Sequence, residues 1–343
     1  MNYFLSHHLD RDGYGYAGLK ILQALGRVAR GEWRGVDMCA DGGRARPGER
    51  EWVVERTAVV MTTPEWWPDV RAERLIGFTM FESTRMPEKR VELINEHAAA
   101  CLVPCEWCRR VFEEQGVRVP VRVARWGVDQ ADYWFLDRSD HEGPYTFLWS
   151  GTPDFRKGWD LVYKAFWAAF GGSDAARLVL HFREMPRGVR GVGDRNVRFV
   201  VGYLGRREMR RLFQDADCFV FPSRGEGWGL PPREAAATGL PVIATEWGGL
   251  AEEISDWAVC PLRVRELRPA AFGFWNAGEI GEWAEPEFEH LVTLMRWCAE
   301  NREAAVKMGE MKATWMASEG TWERTARGIR DWVLGIGPST SSG

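Results

Sequence analysis

No apolar run in the 343-residue sequence approaches the length of a membrane span, and its first residues lack the charged-then-apolar layout of a secretion signal. Cysteine is scarce. Its seven copies, an odd number without regular pairing, argue against a disulfide framework and for a reducing compartment, so a cytoplasmic protein is expected. Cys101, Cys105 and Cys108 lie close together but have no second ligand pair, and no metal is expected on them. Charge of one sign is lacking too. A net charge of −4 argues against a protein that coats nucleic acid with its whole surface. Lysine is rare, six among 45 basic residues, and no short-period repeat is present.

What is present is an ordinary globular composition, 45% hydrophobic and 27% charged, in a chain long enough for two domains. Short apolar runs alternate with helical patterns, which predicts parallel sheets with crossover helices. In the first half the strands are expected at Tyr3–Leu5, Thr57–Met61, Leu75–Met80, Ala99–Val103 and Val119–Ala124, with helices at Gly18–Ala29, Pro87–Glu96 and Glu106–Gln115. The polar stretch Asp137–Pro144 reads as a linker. Beyond it, strands are expected at Tyr145–Trp149, Arg177–Phe182, Val197–Val201, Cys218–Phe221, Val242–Ala244 and Ala258–Cys260. Helices follow the pattern at Trp159–Phe170, Glu285–Glu300, Arg302–Met316 and Trp322–Val333, and Ser339–Gly343 reads as a tail. Most of the 19 Trp should fill cores, though flat aromatic faces also suit sugar rings.

The most informative stretch is Ser223-Arg-Gly-Glu-Gly-Trp-Gly-Leu-Pro-Pro-Arg-Glu234, followed by Gly239-Leu-Pro-Val-Ile-Ala-Thr245 and Gly248-Gly249. It reads as strand, glycine-rich loop, short helix, strand and second glycine loop. Gly225, Gly227 and Gly229 let backbone approach a ligand closely, and a proline suits the first helical turn. Free N–H groups at a helix start favour an anion. Glu226 and Glu234 flank that anion site, an arrangement suited to a ligand that is part diphosphate and part polyol. In open parallel sheets ligands gather at the carboxyl ends of strands, where this loop and five others are expected: 7–15, 62–67, 82–85, 151–158 and 246–250.

The segment resembles the Glu-x7-Glu signature of the retaining glycosyltransferases with the GT-B fold, glycosyl transferases group 1. The resemblance implies an α/β protein of two doubly wound, Rossmann-like parallel-sheet domains facing a central cleft. It assigns residues 1–140 to an acceptor-side domain, onto which a helix at about 321–334 packs back. Residues 141–320 become the nucleotide-sugar domain and 335–343 a tail. It further implies transfer of a hexose from a nucleotide-diphosphate sugar, no cofactor and no metal. Arg156 and Lys157 resemble the basic residues that hold the diphosphate, although Thr152 stands where the family often has Arg. Together with Glu226, near the transferred sugar, they form the implied catalytic set. Glu234 resembles the carboxylate that accepts both ribose hydroxyls. Gly13, Gly15, Gly151, Thr152, Gly227, Trp228, Gly229, Leu230, Gly248 and Gly249 fall where donor-binding loops are, and Gly202 and Tyr203 where the nucleobase lies. Glu65, Trp66, Trp67, Glu82 and Ser83 line the expected acceptor rim, with core packing equally open for the tryptophans.

Three other readings stay open. Nine Arg between Arg183 and Arg211, against Glu184, Asp194 and Glu208, suit a polyanionic acceptor such as a hydroxymethylated DNA base, or only a solvated face. A nucleotide-sugar epimerase and an inactive binding subunit share the architecture. Asp10-Arg-Asp12 spells a metal-binding Asp-x-Asp, but the flanking pattern favours a polar loop.

Overall fold

A computed structural model describes residues 1–7, 13–38, 46–185, 195–272 and 279–335. The expected Asp10-Arg-Asp12 loop, the centre of the Arg183–Arg211 stretch and the tail lie outside the described residues. The chain divides into two compact units: Met1–Phe81, Arg85–Gly127 and Gly320–Gly343 form unit 1, and Glu82–Thr84 with Val128–Glu319 form unit 2.

Unit 1 runs β1 (Asn2–Ser6), α1 (Gly13–Val28), β2 (Trp33–Asp37), β3 (Trp52–Val53), β4 (Thr57–Met61), β5 (Val70–Arg71), β6 (Arg74–Phe78), α2 (Glu88–His97), β7 (Ala100–Val103), α3 (Glu106–Glu114) and β8 (Val121–Val123). Six strands form one parallel sheet in the order β2-β1-β4-β6-β7-β8, while β3 pairs with β5 separately. The central strands read as continuous apolar runs such as Ala58-Val-Val-Met61 because helices cover both faces of a parallel sheet. The sequence pattern missed β2. Helix α1 begins at Gly13, not near Gly18, so Gly13 and Gly15 lie in its first turn rather than in a loop.

Unit 2 runs β9 (Tyr145–Gly151), α4 (Trp159–Phe170), β10 (Ala176–Phe182), β11 (Val197–Val201), α5 (Arg206–Gln214), β12 (Cys218–Phe221), α6 (Leu230–Ala237), β13 (Val242–Thr245), α7 (Ile254–Trp257), β14 (Cys260–Leu262), β15 (Val264–Ala271), β16 (Glu279–Pro286), α8 (Phe288–Glu300) and α9 (Arg302–Ser318). Helix α10 (Trp322–Val333) then returns to unit 1, where Arg27 pairs with Glu323 at 2.6 Å and Arg330 donates to the Val28 carbonyl. The unit 2 sheet is parallel in the order β11-β10-β9-β12-β13-β14, the doubly wound order in which the strand order reverses between β9 and β12.

Two expectations are corrected. The stretch at 137–144 is no free linker. Arg138 is buried and donates to the carbonyls of Phe213, Leu136 and Thr238, so the division falls after Gly127 and this stretch packs into unit 2. The expected helix from Glu285 starts only at Phe288, since Glu285 and Pro286 finish an antiparallel hairpin of β15 and β16. The charged residues of that hairpin recur at three-residue spacing (Arg265 and Arg268; Glu279, Glu282 and Glu285) and not at the period of two of a half-buried strand, which hid it. The three-residue segment Glu82–Thr84 pairs onto it: Thr84 N donates to the Glu282 carbonyl at 2.9 Å, and Glu282 N to Thr84 Oγ1 at 2.8 Å.

Candidate active site

The reversal between β9 and β12 leaves the two loops that follow these strands side by side at the carboxyl edge. After β9, Asp154 accepts from Arg156 N at 2.8 Å and starts a single 3-10 turn, Phe155–Lys157. Gly158 ends it in the left-handed region (φ 71°), with a Cβ position only 2.1 Å from the Pro222 carbonyl. No other residue fits there. Across the gap, Arg224 N donates to the Arg156 carbonyl at 2.7 Å. Backbone bonding therefore aligns Arg156 and Lys157 with the loop after β12.

These contacts bring the three expected catalytic residues together. Glu226, 6% exposed, receives Lys157 Nζ at 2.6 Å, Ser223 Oγ at 2.7 Å and Arg156 Nη1 at 3.2 Å, all on Oε1. Burial works against ionisation of Glu226, but Lys157 and Arg156 outweigh it and hold its carboxyl below the usual value. Arg156 also donates to the Gly225 carbonyl, and Glu82 Oε1 lies 4.0 Å from its Nη2. The site thus holds a buried guanidinium and a half-buried ammonium around one ionised carboxylate.

The two glycine loops pack backbone on backbone. Gly249 N donates to the Glu226 carbonyl at 2.7 Å, and a Cβ on Gly249 would sit 2.3 Å from the Gly227 carbonyl group. Gly229 (φ 87°) precedes α6, which carries Leu230 in its first turn and Glu234 one turn on, partly exposed. Trp228 is buried. Gly151 ends β9 and Thr152 follows it. Gly202 has φ 125°, and its carbonyl accepts from His181 Nε2 at 2.9 Å, while Tyr203 beside it is 48% exposed. A carbonyl only accepts, so His181 carries its proton on Nε2, and Nδ1 accepts from Ser150 Oγ at 2.8 Å. Burial holds this imidazole below its usual value despite the bond to Gly202.

The acceptor-rim residues fare differently. Trp67 has no exposed surface and lies against Gly77, where a Cβ would fall 2.0 Å from its ring, so it is a core residue and not a sugar platform. Trp66 is buried against His7 and Trp52. Glu65 pairs with Arg90 at 2.8 Å and fixes the turn at Pro64–Asp69 to α2. Ser83 is buried and donates to the Ile280 carbonyl at 2.7 Å. Of this set, Glu82 joins the unit 2 cluster through Arg156.

Sequence reasoning missed two arginines. Arg224, 1% exposed, grips Glu285 (2.8 and 3.1 Å) and Asp160 (3.1 and 3.3 Å), and stacks on Phe155 at 3.6 Å. Its partners lie about sixty residues away on either side, and no local spacing announces them. Arg233, inside α6, carries no local signal, yet its side chain turns inward to carbonyls on both glycine loops.

Comparison with known proteins adds the following. Residues 144–272 match the family model described as glycosyl transferases group 1. Over 153 residues the chain is 32% identical to glycogen synthase of Mycobacterium tuberculosis (strain ATCC 25618 / H37Rv), covering 39% of this chain and 34% of that protein. Over 49 residues it is 49% identical to D-inositol 3-phosphate glycosyltransferase of Paenarthrobacter aurescens (strain TC1), 14% of this chain and 12% of that one. The match spans about a third of the length of the first of these relatives and less of the second. Among solved structures, sucrose-phosphate synthase from Thermosynechococcus elongatus superposes with a TM-score of 0.71 at 14% identity, covering 98% of both chains. At such identity the likeness is one of fold, the GT-B fold of two Rossmann-like parallel-sheet domains.

Proposed function

On the match of residues 144–272 to the glycosyl transferases group 1 model, we propose that the protein moves a hexose from a nucleotide-diphosphate sugar to a hydroxyl acceptor, with retention at the anomeric carbon. The observation that carries the reading is the Lys157–Glu226–Arg156 cluster at the switch point of the unit 2 sheet. Breaking the anomeric C–O bond leaves a diphosphate bearing new negative charge. Lys157 and Arg156 meet that charge, with backbone N–H groups of the two glycine loops, and fixed donors of this kind supply much of the catalysis. Both cations already face the Glu226 carboxylate, so the diphosphate replaces one anion by another. Glu226, still ionised, then accepts from sugar hydroxyls, and Glu234 from the ribose diol.

Retention rests on the Glu226–Glu234 spacing and on the likeness of residues 144–272 to the family. In front-side attack the acceptor hydroxyl bonds to the anomeric carbon while its proton passes to the departing phosphate oxygen, so no strong protein base is needed. Two fixed cations take the charge-neutralising part that a metal plays elsewhere, and the reaction needs no metal ion. The acceptor is a glycan, a lipid-linked sugar or a small molecule.

A screen of labelled nucleotide-sugars against hydroxyl acceptors, run in excess EDTA, tests the proposal. The expected result is transfer that survives EDTA and converts an α-linked donor to an α-linked product by NMR. A clean β linkage, or activity abolished by EDTA and restored by manganese, contradicts it.

A further inference from the structure

Arg233 deepens the proposed donor site and rests on that reading. Its side chain is buried, 2% exposed, between the rings of Trp228 (3.8 Å) and Trp257 (4.5 Å). From there one guanidinium reaches four backbone carbonyls on both glycine loops. Nη1 donates to Trp228 and, at 3.3 Å, to Gly229; Nη2 donates to Gly249 and Glu252, each at 3.0 Å.

The consequence follows from peptide geometry. In a planar trans peptide the C=O and the next residue's N–H point in opposite directions. Drawing in the carbonyls of Trp228 and Gly229 therefore turns the N–H groups of Gly229 and Leu230 away from Arg233. These two amides open α6 and donate to no acceptor among the described residues. Gly229 takes φ 87° to make the turn, with a Cβ position 2.5 Å from Leu250, so the geometry is held from both sides. The guanidinium also leaves a full positive charge directly behind the two amides, adding to the positive end of the helix dipole.

We propose that Arg233 is a positioning residue for the diphosphate: it aims the Gly229 and Leu230 amides at the anion and supports them with a buried cation. Its effect should therefore scale with the phosphates of the ligand and not with its nucleoside.

Calorimetry with uridine, guanosine and adenosine diphosphates identifies the tightest binder, which is then compared with its own nucleoside on wild type, Arg233→Lys and Arg233→Met. Arg233→Lys keeps the charge and loses the fork; Arg233→Met loses both. The expected result is diphosphate affinity reduced by about tenfold or more in Arg233→Met and by less in Arg233→Lys, with nucleoside affinity within about twofold. Equal losses for diphosphate and nucleoside, or unchanged diphosphate affinity in a folded variant, overturn the inference. If Arg233→Met does not fold, Arg233→Lys decides: diphosphate affinity equal to wild type overturns the inference, and a selective loss supports it. A wild type that binds none of the three diphosphates overturns the donor reading itself, a different failure from an Arg233 variant that binds as wild type does.

Discussion

Glu65 in unit 1 and Glu226 in unit 2 look alike electrostatically and differ in everything around them. Both are partly or wholly buried carboxylates held below their usual value against the opposing effect of burial, Glu65 by Arg90 and Glu226 by Lys157 and then Arg156. Glu65 has one cation, Arg90, and the pair ties a turn to a helix. Glu226 has two cations and a hydroxyl on one oxygen, where the strand order reverses, and it lies within the first of two glycine loops packed on each other. A depressed carboxyl therefore does not mark a site by itself. What sets Glu226 apart is its second cation, Lys157, and its place between Gly225 and Gly227.

The comparison can be tested from both sides. The largest effect belongs to unit 1: Trp67→Ala should cost about 3–5 kcal/mol of stability, because it empties a fully buried site against Gly77. Chemical denaturation measures this, and nucleoside diphosphate binding by the folded fraction should not change. Next comes Lys157→Ala, expected to lower kcat by about 10²–10³ with the fold intact, the loss typical of removing one transition-state donor. Glu234→Ala should weaken the nucleotide-sugar and the free nucleoside diphosphate together, by about tenfold to a few hundredfold, whereas Glu226→Ala should act mainly on kcat. Calorimetry beside steady-state kinetics separates those two carboxylates.

The smallest expected effect concerns acid. Glu226 has a lowered value in the folded state, so the unfolded chain binds its proton more readily. Its contribution to stability is present above the unfolded value, about 4.3, and is lost as pH falls through the lower folded value. Glu226→Gln should therefore flatten the dependence of stability on pH in the acid range. Glu65→Gln should do the same through the Arg90 pair but leave transfer at neutral pH unchanged, and a Glu65→Gln variant with lost transfer would erase the contrast drawn above.

Much of unit 2 was legible because its signals are local. Continuous apolar runs such as Cys218–Phe221 mark buried parallel strands, and glycines with Glu226 and Glu234 at fixed spacing mark a loop and helix start. The hairpin of β15 and β16 was not legible, since its charged residues show no strand period and are held by distant partners, Arg224 and Thr84. Nor was the fate of Trp66 and Trp67. A tryptophan after a strand can face a cleft or the core, and only the missing Cβ of Gly77, ten residues on, leaves room for it inside. The inward turn of Arg233 depends likewise on carbonyls brought near by folding.

The central claim is that Lys157 and Arg156, held around Glu226, form a diphosphate site that needs no metal. Calorimetric titration of uridine, guanosine and adenosine diphosphates in excess EDTA tests it most directly, on wild type, Lys157→Ala and Glu65→Gln. The account predicts that wild type binds at least one of the three, that Lys157→Ala weakens this binding by about tenfold or more, and that Glu65→Gln leaves it unchanged. Binding that requires added metal, or that Lys157→Ala leaves intact, would contradict it.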